Sequence, residues 1–218
     1  LKEEKIKKNL GQALEQLTRI VNKTLNLKYF PLILGGEHSI TPAIIKSFKK
    51  SYSKLTILQI DAHADLRNQY LGNKNSHACA MRRCLDFKNV NVIGIGVRNI
   101  CKEEFEFAKK NKDRIQIFWS KDISKKSIAK IKNLIKNKNV YLTFDVDGFD
   151  SSLMPATGTP EPGGLFWNDT LDILKSIFRN SNVIGADINE LAPKQNLHAC
   201  DFLIAKLIYK MLSYKFAS

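Results

Sequence analysis

Short apolar segments alternate with longer amphipathic segments along the chain. Six short segments rich in β-branched and aromatic residues predict strands over residues 31–34, 55–60, 90–95, 115–119, 140–144 and 183–188. Apolar residues at helical spacing predict helices over residues 3–25, 41–49, 102–110, 124–136, 167–179 and 200–212. Such alternation is typical of a parallel sheet that is covered by helices on both faces. We therefore predict an α/β fold, a three-layer αβα sandwich with a mostly parallel sheet.

The length of 218 residues and the hydrophobic fraction of 44% suit a single domain over residues 1–218. The apolar stretches are far shorter than the roughly 20 residues of a membrane helix, so we expect no membrane partner. The charged N-terminus does not match a secretory signal. The four cysteines form no Cys-x-x-Cys pair, which indicates free thiols in a reducing compartment. We therefore expect a cytoplasmic protein.

The net charge of +14 raises the alternative of a basic nucleic-acid-binding protein. However, 28 of the 35 basic residues are Lys, and only seven are Arg, the usual reader of base edges. In the densest basic stretch, residues 125–138, apolar residues recur at helical spacing, which indicates a solvated helix face. We therefore expect no nucleic-acid partner and keep this function as the alternative from another class.

Polar residues follow four of the six predicted strands, at the sheet edge where ligands bind in parallel α/β folds. The polar segments are Gly35-Gly36-Glu37-His38-Ser39, Asp61-Ala62-His63-Ala64-Asp65, Asp145-Val146-Asp147 and Asn189-Glu190. On an extended backbone alternate side chains point to one side, so we expect Asp61, His63 and Asp65 to converge. The same alternation applies to Asp145 and Asp147.

With His38 included, the candidate ligands are four carboxylates and two imidazoles, without a thiolate. This set favours Mn²⁺ over structural zinc. Two ions that share bridging carboxylates would leave a coordination position open for catalysis. A lone Asp-x-Asp is more often a loop or helix-cap feature. The three motifs together, each at the carboxyl end of a predicted strand, favour a metal site.

Four segments resemble the signatures of the arginase/agmatinase/formimidoylglutamase ureohydrolase family. They are Gly-Gly-Glu-His-Ser at 35–39, Asp-Ala-His-Ala-Asp-Leu-Arg at 61–67, Thr-Phe-Asp-Val-Asp-Gly-Phe-Asp at 143–150, and Pro-Ala-Thr-Gly-Thr-Pro-Glu-Pro-Gly-Gly-Leu at 155–165. The resemblance runs from about Pro31 to the C-terminus. It implies two Mn²⁺ per chain: His38 and Asp65 would ligate one ion, His63 and Asp147 would ligate the other, and Asp61 and Asp145 would bridge them.

The resemblance also implies three catalytic residues. Asp65 would accept a proton from the attacking water, and His77 matches a mobile histidine that exchanges protons at the mouth of the site. Glu190 matches a glutamate that binds the guanidinium group. Four carboxylates balance two Mn²⁺, so Glu190 leaves a site that favours a small cationic guanidino substrate. The implied enzyme is an agmatinase, which hydrolyses agmatine to urea and putrescine, a polyamine.

The choice of substrate stays open between related compounds. Residues 67–75 lack the Thr/Ser/Asn-rich string with which arginases of this family bind the substrate carboxylate. This absence favours agmatine, while guanidinobutyrate, aminopropylagmatine, guanidine and arginine remain alternatives. Arg67 could itself receive a carboxylate, which would favour guanidinobutyrate. A one-metal zinc amidohydrolase is a further alternative. We interpret Arg82, Arg83 and His198 as surface or structural residues.

Members of the family usually have two further strands before the segment equivalent to Pro31, in a sheet of eight. Since six strands are predicted here, we expect a chain that is N-terminally incomplete relative to the family, with a bare sheet edge beside the first strand. The family is commonly trimeric or hexameric, so a homo-oligomer is also expected.

Overall fold

The computed structural model describes residues 3–217. The strands are β1 (Leu32–Leu34), β2 (Leu55–Ile60), β3 (Val90–Val97), β4 (Ile115–Trp119), β5 (Asn139–Asp145) and β6 (Asn182–Asn189). The α-helices are α1 (Leu10–Asn26), α2 (Thr41–Phe48), α3 (Ala80–Cys84), α4 (Lys102–Lys110), α5 (Lys125–Ile135), α6 (Trp167–Asn180) and α7 (His198–Phe216). Short 3₁₀ helices cover His38–Ile40, His77–Cys79, Ser120–Asp122 and Val146–Gly148. Within the described range, no helix is long and apolar enough to cross a membrane.

All six strands are parallel, in the order β1-β6-β5-β2-β3-β4. The connections from β1 to β4 run in one direction along this order, and those from β4 to β6 run back in the other. Since crossovers between parallel strands are right-handed, this reversal moves the connecting helices to the opposite face of the sheet. The predicted αβα sandwich is confirmed, and β1 lies at one edge of the sheet.

Each face of the sheet carries its own apolar core. On one face, Ile57 and Tyr141 pack with residues of α1 to α4, including Phe48 of α2. On the other face, Leu58 and Leu142 pack with residues of α5, α6 and α7. Neighbouring residues of one strand thus enter different cores, which explains why β2 is buried at every position and has no polar face.

The first helix begins later than predicted. We predicted a helix over residues 3–25, whereas α1 begins at Leu10 because the side chain of Asn9 caps it by accepting from the Gln12 N–H. The residues before this cap fold back along α1: the Gln16 side chain donates to Glu4 Oε2 and accepts from the Lys7 N–H. Helix α3 was not predicted, since five residues are too few for a readable period.

The carboxyl ends of β2 and β5 lie at the point where the strand order reverses. The chain leaves β2 toward β3 and leaves β5 toward β6, which are on opposite sides of this neighbouring pair. The loops diverge and leave a crevice, the place where open α/β sheets bind ligands. Asp61 follows β2 directly and Asp145 ends β5, so both carboxylates stand at this crevice.

Candidate metal centre

His38 lies at the centre of a buried cluster of carboxylates. Its side chain is fully buried, and its Nδ1 lies 2.9 Å from Asp65 Oδ2, 3.2 Å from Asp61 Oδ2 and 3.4 Å from Asp145 Oδ2. The ligand atoms of His38, Asp61 and Asp65 are close enough together to hold one metal ion. We call His38, Asp61 and Asp65 the buried group. Asp145 lies next to this group and is not part of it.

A second cluster shares Asp61 and faces the cleft. His63 Nδ1 lies 3.0 Å from Asp147 Oδ2 and 3.6 Å from Asp61 Oδ1, and 24% of the His63 side chain is exposed. We call Asp61, His63 and Asp147 the open group; their ligand atoms also lie within reach of one ion. Asp61 presents Oδ2 to the buried group and Oδ1 to the open group, so it is placed between them.

The loop after β2 does not continue the strand, contrary to our expectation. The Asp61 side chain accepts from the His63 N–H at 2.6 Å, and Asp65 has a left-handed backbone with φ of 53°. This turn sends His63 and Asp65 to different groups rather than to one point. A non-glycine residue in this backbone region is strained, and such strain is concentrated at functional sites.

The loop after β5 also turns at once. The Asp145 side chain accepts from the Asp147 N–H at 2.9 Å, and Asp147 Oδ1 accepts from the Ala62 N–H at 3.0 Å. Gly148 suits this close approach, because a Cβ at this position would lie only 3.0 Å from the Asp61 backbone nitrogen. The close approach holds the two carboxylate-bearing loops against each other.

The protonation equilibria of the cluster show that it needs positive charge. Burial lowers the pKa of His63, but Asp147 and Asp61 outweigh this effect and raise it to about 11. Burial and the negative charge of Asp61 raise the pKa of Asp65 to about 7. Burial and the neighbouring Asp61 and Asp147 likewise raise the pKa of Asp145. In the absence of a cation, protons would have to neutralise these carboxylates.

The residues present fit a divalent cation. His38 Nδ1 is buried and has no hydrogen-bond partner, although three carboxylate oxygens lie within 3.4 Å of it. Burial lowers the pKa of His38, but Asp145, Asp61 and Asp65 outweigh this effect and raise it. In a metal-free chain a proton on Nδ1 would therefore relieve the repulsion between the nitrogen lone pair and the carboxylates, and a divalent cation would take the place of that proton. Oxygen and imidazole donors without a thiolate suit Mn²⁺.

Both groups open into a cleft of about 170 Å³, smaller than the roughly 300–1,000 Å³ typical of drug-sized ligands. The cleft therefore suits a small molecule. Its lining residues are His63, Asp65, Arg67, Tyr70, His77, Ala78, Asn99, Glu104, Asp145, Asp147, Thr159 and Glu190.

Both sequence-derived non-ligand candidates lie in this cleft. His77 Nδ1 lies 2.9 Å from Glu37 Oε1, and the ring packs edge-on against Tyr70. Glu190 Oε1 accepts from the His38 N–H at 2.7 Å. The Glu190 N–H donates to the Gly36 carbonyl, and its φ of 66° is left-handed. The structure thus places Glu190 at the rim of the buried group.

The other arginines and His198 lie in different environments. Arg67 lines the cleft, with its guanidinium 5.3 Å from the Tyr70 ring. Arg82 lies 3.4 Å above the Phe107 ring, and Arg83 pairs with Asp86. His198 begins α7 with its side chain 89% exposed. The structural interpretation therefore suits Arg82, Arg83 and His198, while Arg67 belongs to the site.

Sequence reasoning missed Arg98, which helps to hold the open group in place. Arg98 donates five hydrogen bonds to backbone carbonyls, including those of Asp147 and Phe149 at 2.7 and 3.0 Å and of Glu161 and Pro162 at 2.9 and 3.0 Å. Thr159 Oγ1 donates to Asp147 Oδ2. A side chain whose partners are main-chain carbonyls has no sequence motif, so the role of Arg98 can be identified only from the tertiary structure.

Comparisons with known proteins show what this chain is similar to. The Arginase family model matches residues 3–213. The N(1)-aminopropylagmatine ureohydrolase of Synechocystis sp. is 38% identical over 188 residues, which cover 85% of this chain and 60% of that protein. The agmatinase of Bacillus anthracis is 37% identical over 187 residues, which cover 85% and 63%. The crystal structure of the agmatine ureohydrolase of Thermoplasma volcanium matches with a TM-score of 0.84 and 29% identity, over 97% of this chain and 71% of that chain.

This chain belongs to the arginase family. The resemblance seen in the four sequence motifs is thereby confirmed, and the family match also includes α1, which precedes those motifs. The chain spans less than two thirds of the length of the two curated relatives.

Proposed function

We propose that this chain is a binuclear manganese hydrolase that cleaves the guanidinium group of agmatine to urea and putrescine. The observation that carries the proposal is the pair of His–carboxylate groups that share Asp61 at the floor of a cleft whose rim holds Glu190. One histidine per group and a shared carboxylate suit two ions; a one-metal zinc amidohydrolase would not need the second group.

The charge of the cleft supports a cationic substrate. Asp61, Asp65, Asp145 and Asp147 match the charge of two divalent ions. Beyond these four, the cleft is lined by Glu104 and Glu190 against the single Arg67. The chain as a whole carries +14, yet its cleft keeps an excess of negative charge. This contrast also argues against the nucleic-acid alternative, because phosphates would meet carboxylates at this site.

The ligand roles that we propose follow the two groups. His38 and Asp65 would hold one Mn²⁺, His63 and Asp147 would hold the other, and Asp61 and Asp145 would lie between them. When bound, the two ions would supply Lewis acidity that lowers the pKa of a water molecule toward neutrality.

The remaining steps fall to side chains of the cleft. Glu190 would accept N–H donors of the guanidinium and hold its carbon near the two groups. Asp65 would take a proton from the attacking water and pass it to the leaving amine. His77 would carry to solvent the proton that the next water molecule releases, because Glu37 engages its Nδ1 and leaves Nε2 available.

Guanidinobutyrate is the second candidate substrate, and one observation favours it. Arg67 reaches the cleft, and its Nε is 3.9 Å from Glu104 Oε2, too long for a hydrogen bond. Its guanidinium could therefore receive a carboxylate at the far end of a substrate.

A comparison of kcat/KM on one Mn²⁺-loaded preparation tests the substrate. We expect agmatine to exceed arginine by roughly 10²–10⁵-fold, because the arginine carboxylate would be poorly paired in a negative cleft. The panel should also contain aminopropylagmatine, guanidinobutyrate and guanidine. Arginine equal to agmatine would contradict the proposal, and guanidinobutyrate ahead of both would indicate that Arg67 binds the substrate.

The proton-exchange role is tested separately with His77→Ala. We expect kcat to fall by roughly 10²–10⁴-fold while the chain keeps its metal, as is usual when a positioned acid–base group is lost. His198→Ala is the matched control, since His198 is 89% exposed and lies outside the cleft. Loss of manganese from His77→Ala would instead identify His77 as a ligand.

A further inference from the structure

A fully buried carboxylate that the proposed chemistry does not use lies behind the buried group. Asp187, on β6, has no exposed surface and accepts hydrogen bonds from four side chains. The donors are Thr143 Oγ1 at 2.5 Å, Asn189 Nδ2 at 2.7 Å, Tyr141 OH at 2.9 Å and Thr41 Oγ1 at 3.0 Å. Four donors fill the acceptor sites of an ionised carboxylate.

One of these donors connects Asp187 to a proposed metal ligand. Thr143 Oγ1 lies 2.8 Å from His38 Nε2, on the side of the ring opposite to the carboxylate cluster. Thr143 also has Thr41 Oγ1 as a neighbour, but at 3.4 Å, much farther than Asp187. The short contact to an acceptor-only carboxylate therefore determines where the Thr143 hydroxyl proton points.

The direction of these bonds determines the tautomer of His38. A threonine hydroxyl has one proton, and if that proton is donated to Asp187, the oxygen can only accept from His38. His38 Nε2 must then carry a proton. Nδ1 is left with its lone pair, directed at the place where Asp61 and Asp65 converge. This is the form in which imidazole ligates a metal.

Burying the Asp187 carboxylate costs free energy, so its presence needs a reason other than stability. Burial raises the pKa of Asp187, while the neighbouring His38 and the hydrogen bond from Thr143 lower it in part. A buried carboxylate does little for stability that apolar residues of similar volume could not do. The Ile184 side chain and the Tyr141 ring belong to the apolar core on this face of the sheet, so a polar network beside them needs another explanation.

We propose that Asp187 is a positioning residue for the metal centre, acting through Thr143 to hold His38 with its proton on Nε2 and its Nδ1 free for a cation. The inference rests on the proposed function, since it presumes that the buried group binds metal. Asp187 itself touches neither substrate nor ion. Its effect should be confined to the ion held by His38 and should spare the ion held by His63.

The test is Asp187→Asn, which keeps the shape of the side chain but can donate to Thr143. The Thr143 hydroxyl would then turn toward His38, and the ring proton would move to Nδ1, where it opposes metal binding. Chelator-treated protein is titrated with Mn²⁺, and free Mn²⁺ is followed by its electron paramagnetic resonance signal. We expect one of the two Mn²⁺ affinities to fall by roughly 10–100-fold and the other to stay within a few-fold.

Three further variants separate positioning from folding. Tyr141→Phe removes one donor to Asp187 and leaves the path to His38 intact, so both affinities should be kept. Thr143→Val should reproduce the loss seen with Asp187→Asn, and Thr143→Ser should restore the affinity because it keeps the hydroxyl. If Asp187→Asn does not fold, the Val and Ser variants at position 143 decide the question by themselves.

The outcomes separate this inference from the proposed function. If the unmodified chain binds no Mn²⁺, the proposed function fails and the inference fails with it. If the unmodified chain binds two ions and Asp187→Asn binds them equally well, the metal centre stands and only the inference is overturned. Equal affinities for Thr143→Val and Thr143→Ser would also overturn it.

Discussion

The two halves of the candidate metal centre have the same kinds of donor but different supports. The buried group is held from the sheet: His38 is fully buried and contacts Thr143 of β5. The open group is supported by loop residues: Arg98 donates to the Asp147 carbonyl and Thr159 donates to the Asp147 carboxylate. The His63 side chain of this group is 24% exposed. The buried group is therefore fixed by the core, and the open group is fixed by contacts at the surface of the cleft.

The difference suits the two tasks that we propose for the centre. A group enclosed by packed strands keeps its geometry and excludes water, while a group at the cleft wall can be reached by substrate and solvent. Because His63 of the open group is partly exposed and His38 of the buried group is not, local opening should begin at the open group. Changes to the shared residue should affect both halves, and changes elsewhere should affect one half.

The largest effect is expected for Asp61→Asn, because each oxygen of Asp61 faces a different histidine. Both Mn²⁺ affinities should fall by more than the roughly 10–100-fold typical of residues that only orient a ligand. Metal content per chain after dialysis measures this. Asp113→Asn, at an exposed carboxylate before β4, is the control. Two ions retained by Asp61→Asn would refute its placement between the groups.

A smaller and selective effect is expected when only one group loses a carboxylate. Asp65→Asn should remove the ion of the buried group and Asp147→Asn that of the open group, so each variant should bind about one Mn²⁺ tightly. Turnover should be lost in both, since the proposed reaction needs the pair. Titration with Mn²⁺ counts the sites. Loss of both ions in either single variant would show that the groups are not separable.

Chelation gives a kinetic form of the same comparison. We expect a chelator to remove manganese in two phases, with the faster phase from the open group because His63 is partly exposed and His38 is not. Asp65→Asn, which keeps only the open group, should show the fast phase alone, and Asp147→Asn the slow phase alone. Release measured by rapid mixing with EDTA tests this order, and identical phases in the two variants would contradict it.

The support of the open group is tested by Arg98→Lys. Lysine cannot reproduce the planar fork that donates to several carbonyls at once, so the loops at Asp147 and Glu161 should lose contacts. We expect the free energy of unfolding to fall by about 2–4 kcal/mol. Mn²⁺ affinity should weaken at the open group and be kept at the buried group. Denaturant unfolding measures the free energy, and a parallel Mn²⁺ titration measures the two affinities. Equal weakening of Mn²⁺ binding at both groups would contradict the view that Arg98 supports only the open group.

The smallest effect is expected at Asp150, whose carboxylate holds the neighbouring loop. It accepts from the Gly163 and Gly164 N–H groups and from Ser152, and the Ser152 bond and these backbone bonds lower its pKa to about 2. A lowered folded-state pKa gives stability that is present above the ordinary value near 3.8 and lost as the pH falls through about 2. Asp150→Asn should cost about 1 kcal/mol at neutral pH.

The pH dependence supplies the control for Asp150→Asn. The difference in unfolding free energy between the variant and the unmodified, metal-free chain should shrink as the pH falls from about 4 to 2, because the native carboxyl is then protonated too. Urea unfolding at pH 7 and at pH 3 measures it. A difference that is constant across this range would show that the Asp150 charge is not what stabilises the loop.

Much of the fold could be predicted because strands and ligand motifs are encoded locally. All six strands were found within a few residues of their observed bounds, since buried parallel strands are short β-branched runs bounded by turn residues. The start of α1 could not be predicted, because the Asn9 cap competed with a continuing run of charged residues. The extended backbone expected for residues 61–65 was wrong, because a turn with a left-handed Asp65 replaces it, and only the family resemblance had implied that His63 and Asp65 serve different ions.

The sequence alone determined the residue types of the candidate site and, through the family resemblance, which of them would share an ion, whereas the tertiary structure decided how these residues are brought together and supported. His38 meets Thr143 across 105 positions, and Thr143 meets Asp187 across 44, so no local pattern could connect them. The decisive feature is the strand order, which makes the parallel strands β2 and β5 neighbours. From β2 the chain continues toward one edge of the sheet, and from β5 it continues toward the other edge. Right-handed crossovers on opposite faces then force the loops after these strands apart, and the carboxylates that a local motif placed after each strand meet in the crevice left between them.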